Sequence, residues 1–350
     1  MSTSNEYYLC WPDRAERWDP IEERPHPHWV RTRYFGGVFE HMEQVLSEGG
    51  FTVYLTPDVK SLPSYGEDVI AVLQEDQPAR VPEYFDDVLV TFTCHGIGHP
   101  LHENPITQPS LSSLLSTGRY ARNFLLRLPG RIRHYWLRQQ DRSVSAIHAI
   151  PLGYANQVDL STKPIDTRPN DLFFAGSVEH SSNPLHLKSW IGTPKYYSRV
   201  QLVDSLKAIE RDRSDIQVDL RVKDTYLESM DASAQTYSEG MMNAKICPVP
   251  RGTSLESFRF FEALRFGCIP VVEGLPSRWF YDEAPAIQVS DWNELGDIVS
   301  HLLRNPDTLR TKHAAVLEWW ETQCSEQAVG EFMADKIQDA QTRKKSDSLH

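Results

Sequence analysis

Short apolar runs alternate with longer stretches of helical periodicity along this chain, and the order of the two kinds predicts its elements. Tyr7-Tyr-Leu-Cys-Trp11 is a compact run closed by Pro12-Asp13, and it predicts a first strand. About twenty residues rich in Pro, His and Arg follow without a period, so they read as a long loop. Val38, Met42, Val45 and Leu46 then fall on one face of a helix expected over 38–48, opened by Tyr34-Phe35-Gly36-Gly37 and closed by Gly49-Gly50. Further strands are expected over 51–55, 68–73 and 87–93. Strand and helix signals in alternation point to an α/β fold with a parallel sheet.

The pattern resumes after residue 110. Helices are expected within 110–141, divided at Pro129-Gly130, and the punctuated run 148–154 reads as a crossover between domains. Strands over 172–176, 216–222, 245–249 and 268–272 alternate with helices over 198–211, 231–243 and 257–266. Two more helices fit 291–304 and 307–322, and the polar tail 341–350 reads as disordered. At 350 residues the chain exceeds one average domain. The division expected is an N-terminal domain over 1–148, a second over 149–325, and a helix end with polar tail over 326–350.

Charge changes this picture by exclusion. A net charge of −12 argues against a nucleic-acid-binding protein, which needs a basic face for phosphates. The five cysteines, Cys10, Cys94, Cys247, Cys268 and Cys324, form no C-x-x-C pair, so neither a zinc knuckle nor a disulfide framework is expected. Cys247 and Cys268 fall in expected buried strands, where a thiol is a small apolar group. Histidines at 26/28 and 99/102 lack a third ligand at suitable spacing, and no metal site is expected. There is no basic-then-apolar leader and no apolar stretch near 18 residues, so a reducing, cytoplasmic setting is the expectation.

The most informative stretch is 245–274, KICPVPRGTSLESFRFFEALRFGCIPVVEG. It reads as strand, polar loop, helix capped by Ser257, stop at Gly267, and a second strand. Such a unit sets its loop at the carboxyl end of a parallel sheet, where open α/β sheets bind ligands. Free backbone N–H groups, a helix N-terminus and arginine forks are the groups that hold a phosphate, and this loop has all three.

Pro-Arg-Gly (250–252), Ser-Phe-Arg-Phe-Phe-Glu-Ala-Leu (257–264) and Gly-Cys-Ile-Pro-Val-Val (267–272) closely resemble the C-terminal signature of exostosin-type glycosyltransferases. The resemblance is dense over about thirty residues and extends by pattern over roughly 150–325. It implies the GT-B architecture, two facing Rossmann-like domains, and transfer of a sugar from a nucleoside diphosphate donor to a hydroxyl of a glycan or glycolipid, with inversion. A UDP-sugar is the favoured donor, and no cofactor is implied. Animal members carry an N-terminal membrane anchor, which this sequence does not show.

By that resemblance Arg251, Gly252, Ser257 and Arg259 bind the donor, with at least one of the two arginines on the diphosphate, and Glu262 binds the ribose hydroxyls. Ser254 stands where many GT-B enzymes have a glutamate, so Ser254 or Glu256 is the candidate for the donor sugar. Gly176 and Ser177, after the first strand of the second domain, would let a pyrophosphate approach the backbone. Lys223 and Gly36-Gly37 are weaker candidates for the same region. Asp76, with its neighbour Glu75, and His95 follow expected strands of the first domain and are candidates for the base. Arginines crowd 119–142, a candidate surface for anionic lipid or an acidic acceptor. The rival readings are a GT-B transferase of another family, such as a fucosyltransferase, and a non-catalytic sugar-nucleotide-binding protein.

Overall fold

The computed structural model describes residues 4–347 apart from 25, 27, 28, 30, 75–79, 97–110, 141–143, 145, 157, 179–192, 224–231 and 253. In chain order the elements are β1 (Glu6–Trp11), β2 (Arg14–Arg17), α1 (Thr32–Val45), β3 (Thr52–Thr56), β4 (Gly66–Leu73), β5 (Val88–Thr93), α2 (Leu111–Gln140) and β6 (Ile147–Ala149). They continue with β7 (Asn170–Ser177), α3 (Pro194–Asp212), β8 (Val218–Lys223), α4 (Ala232–Met242), β9 (Ala244–Val249), α5 (Phe258–Arg265), β10 (Ile269–Val272) and β11 (Ile287–Gln288). Three helices close the chain: α6 (Leu295–Arg304), α7 (Pro306–Trp319) and α8 (Glu326–Asp347). The fold class is α/β, in two compact units.

The first unit comprises Met1–His99, Tyr120–Gly153 and Gln323–His350. Its sheet has the order β2-β1-β3-β4-β5-β6, parallel except for β2. Every residue of β5 is buried, Thr91 and Thr93 included, as in a strand covered on both faces. The sequence pattern does not foretell β2. Its residues Arg-Ala-Glu-Arg are all exposed, as charged residues on a sheet edge are.

Three expectations need correction in this unit. Gly36 and Gly37 lie inside α1, which starts at Thr32, and do not precede it. A Cβ on Gly36 would lie 2.5 Å from the Pro20 carbonyl and 2.2 Å from Arg24 Cδ, so this glycine makes room for the loop over 20–24. Residues 341–347 are helical, not disordered, because α8 packs on α1. Gly330 permits that packing: a Cβ there would come 2.6 Å from the Val38 carbonyl oxygen. The helix expected to break at Pro129-Gly130 runs through both residues as α2. Pro129 is exposed, while Gly130 faces Val81, so only one backbone donor is lost and no bulky side chain is wedged inside.

The second unit comprises Pro100–Arg119 and Tyr154–Thr322. Its five strands are all parallel, in the order β11-β10-β9-β7-β8. The core gathers Leu172 and Phe174 of β7, Leu202 and Leu206 of α3, Ile246, Ile269, Trp292 and Val299. Burying each of these side chains stabilises the unit by about 1.5–3 kcal/mol before entropy is counted. Arg168, only 2% exposed, donates to the carbonyls of Lys163, Ala244 (2.8 Å) and Phe266 (2.6 Å). It thereby ties the start of β9 to the end of α5. Cys268 sits beside it, donating to the Met241 carbonyl at 2.9 Å, and burial pushes its thiol up to about 11.

Candidate active site

Numbered within its own unit, the second sheet runs 5-4-3-1-2, so the direction of winding reverses between β7 and β9. At such a reversal the following connections leave toward opposite faces, and a crevice opens at the strands' carboxyl ends. Gly176 and Ser177 end β7 there, and Arg251 and Gly252 follow β9 on the neighbouring strand. The register of β9 with β10 pairs Val249 with Val272, which brings the two next loops together. Arg251 N–H donates to Glu273 Oε2 at 3.1 Å, and Trp292 Nε1 donates to the other carboxylate oxygen at 3.1 Å. Burial raises the Glu273 carboxyl, and donors from Ser198 and Arg251 oppose that rise.

The loop between β9 and α5 is held by its own polar groups. Ser254, 6% exposed, donates to the Glu256 carbonyl at 3.3 Å. Ser257 caps α5 by accepting from Arg259 N–H at 3.3 Å, as its sequence position predicts. Gly267 ends the helix in the left-handed region at φ +69°, again as the sequence predicts. Gly252 differs from most glycines here. A Cβ on it would meet the nearest described atoms, the carbonyls of Glu256 and Ser254, only at 3.7 and 3.8 Å, an ordinary contact.

Arg259 and Glu262 turn inward. The Arg259 guanidinium stacks 4.5 Å from the Phe174 ring, donates to the Ala175 carbonyl, and donates to Tyr237 Oη at 3.4 Å. Gly176 is small for this reason, since a Cβ there would lie 3.0 Å from Arg259 Nη2. Tyr237 in turn donates to Glu262 Oε2 at 2.8 Å. The second carboxylate oxygen accepts from the backbone N–H groups of Asn156 (3.1 Å) and Ala155 (3.3 Å). Glu262 is 4% exposed, so three of its roughly four acceptor positions belong to the protein. Burial, with the Glu262 charge beside it, pushes the Tyr237 hydroxyl well up, and it stays a donor. Sequence reasoning missed Tyr237 and residues 155–156. They lie 25 and more than 100 residues from Glu262, and no spacing signal could join them.

Ser177 is 2% exposed and its carbonyl accepts from Arg199 Nη1 at 2.8 Å. Lys223 ends β8 in register with Ser177. His95 lies in the first unit, in the turn after β5, and is 6% exposed. Asp76 and Glu75 fall outside the described residues, as do His28, His99 and His102. Among the described residues no group of three His, Cys, Asp or Glu side chains could hold a metal ion.

Residues 132–295 match the family model of the Exostosin GT47 domain. This segment is similar to an exostosin domain. It contains the β7 and β9 strand ends, the Arg251–Gly252 loop and α5. The chain is 43% identical over 79 residues to Exostosin-1 of Bos taurus, which covers 22% of this chain and 10% of that protein. The Exostosin-1 homolog of Caenorhabditis elegans is 42% identical over 64 residues, covering 18% and 15%. The chain thus spans about a tenth of the first curated relative's length. Among solved structures, a Glycosylation Associate Protein (Gap123) complex from Streptococcus agalactiae resembles it at TM-score 0.42 and 8% identity, covering 83% of this chain and 54% of that one.

Proposed function

We propose that this chain is a glycosyltransferase that moves a sugar from a nucleoside diphosphate donor to a hydroxyl of a glycan or glycolipid, with inversion at the anomeric carbon. The observation that carries the reading is the Arg251–Gly252 loop at the winding reversal of the second sheet, within the segment similar to an exostosin domain. The arginine fork and the α5 N-terminus supply positive charge where a leaving diphosphate gains negative charge, which lowers the barrier. Gly252 leaves room that no described contact requires, which suits close approach of a phosphate to the backbone. We assign Arg251 to the diphosphate. Arg259 and Glu262 hold the walls through Tyr237 and contribute field more than direct contact. Ser254, Ser257, Gly176 and Ser177 border the same crevice. UDP is the favoured nucleotide, and we assign the base to His95 or Asp76.

Isothermal calorimetry with UDP and GDP tests this. One diphosphate binds the native chain, and Arg251→Ala weakens it by about 1.5–3 kcal/mol, the worth of a charge-assisted hydrogen bond, while uridine or guanosine binding barely changes. Absence of binding to any nucleoside diphosphate, with the fold intact, would sink the reading.

A further inference from the structure

The helix α2 carries its apolar face outward. Leu125, Ile132 and Trp136 are 66%, 46% and 58% exposed, and at 100° per residue they lie within about 40° of one another. Leu128 and Tyr135 widen the same stripe, and Tyr135 is 62% exposed. The opposite face docks to the first unit. The buried His134 packs edge-on to Phe85 at 5.0 Å, Gly130 faces Val81, and Arg133 donates to Asp86 at 2.6 Å. The exposed stripe is therefore no side effect of a helix with nothing to rest on.

Charge identifies what covers it. Between 111 and 140 the sequence has six arginines and no Asp or Glu, against −12 for the whole chain. Arg122 borders one side of the stripe, and Arg131 and Arg138 the other, while Arg133 is held by Asp86. A second copy of this helix would set arginines against arginines and bring no carboxylate of its own to neutralise them. An acidic glycan would satisfy the arginines but leave Leu125, Ile132 and Trp136 in water. An anionic lipid surface satisfies both, with acyl chains beneath the stripe and headgroup phosphates at the guanidinium rows. We propose that α2 lies in the plane of an anionic membrane and holds the protein at its surface. No described helix is long and apolar enough to span a membrane, and this contact is peripheral.

The test is co-sedimentation of the full chain with phosphatidylcholine vesicles, with and without phosphatidylglycerol. Binding is expected only to the anionic vesicles, and it falls as salt rises from about 0.1 to 1 M, where the screening length shrinks from roughly 10 to 3 Å. The double variant Ile132→Asp/Trp136→Asp loses about tenfold or more in partitioning, with circular dichroism unchanged. Arg122→Gln/Arg138→Gln, which leaves the stripe intact, serves as the second variant and loses about tenfold in binding to anionic vesicles. No binding to anionic vesicles at low salt, or equal binding to both kinds, overturns the proposal. So does a concentration-dependent dimer that the first variant abolishes while vesicle binding persists.

Discussion

Two arginines that look equivalent in the sequence do different work in the fold. Arg251 sits on the loop after β9, with its backbone tied to Glu273, whereas Arg259 is stacked on Phe174 and bonded to Ala175 and Tyr237. Arg259→Ala therefore removes a cation–π contact and donors to a carbonyl and a buried hydroxyl. It should destabilise the second unit by roughly 2–3 kcal/mol, read as a lower denaturant midpoint. Arg251→Ala should lower that midpoint less than Arg259→Ala does and act mainly on ligand binding. Equal loss of stability for both would mean that Arg251 is structural. Gly252→Ala separates sterics from charge: the fold tolerates its Cβ, so stability should hold while diphosphate affinity falls about tenfold or more. The Glu262 carboxylate, with three protein donors, links the same cluster to residues 155–156.

At the scale of elements, glycines decide how closely helices approach. A Cβ on Gly330 would meet backbone of α1 on two sides, at 2.6 Å from Val38 O and 2.9 Å from Met42 N. On Gly37 the first atom met is the flexible Glu326 Cγ at 2.7 Å. Gly330→Ala should thus cost about 1–3 kcal/mol, and Gly37→Ala clearly less, in paired urea titrations. The sheet and α8 also half-bury His148, whose ring lies between Phe92 of β5 (5.8 Å) and Phe332 of α8 (6.2 Å). Burial, helped by Lys336 and Arg343, pulls its pKa from 6.5 down to about 4. The unfolded chain therefore binds the extra proton between these values. Stability from this group is complete above about pH 6.5 and is lost as pH falls toward 4, by about 2–3 kcal/mol. His148→Phe should flatten that part of the stability–pH curve; an unchanged slope would show that His148 is not buried as described.

For the whole molecule, the proposed reaction needs a proton acceptor, and we assign that role to Asp76 or His95. One of Asp76→Asn or His95→Ala should lower turnover by roughly 10²–10⁴-fold while leaving diphosphate binding intact, since the base does not touch the nucleotide. Near-native turnover in both variants would place the base elsewhere. Turnover should also persist in EDTA, because arginine and a helix N-terminus stabilise the leaving group without a divalent ion. Loss in EDTA restored by manganese would overturn that mechanism.

The α/β class, strands β1, β3 to β5 and β7 to β10, the Ser257 cap and the Gly267 stop are all legible in the chain, because each rests on residues within one turn or strand of each other. The proposed phosphate loop is legible for the same reason: Arg251, Gly252 and the α5 N-terminus lie close together in the chain. What only tertiary structure decided are the places where distant segments compete for one group. Arg259 and Glu262 are claimed by Tyr237, Ala175 and residues 155–156, so half of a contiguous motif faces inward. The tail over 341–347 becomes helix because Gly330 lets α8 settle on α1, and propensity alone does not order a polar segment. The outward apolar face of α2 belongs here too: periodicity reveals that the stripe exists, but only packing of His134 on Phe85 determines which side is left to the solvent.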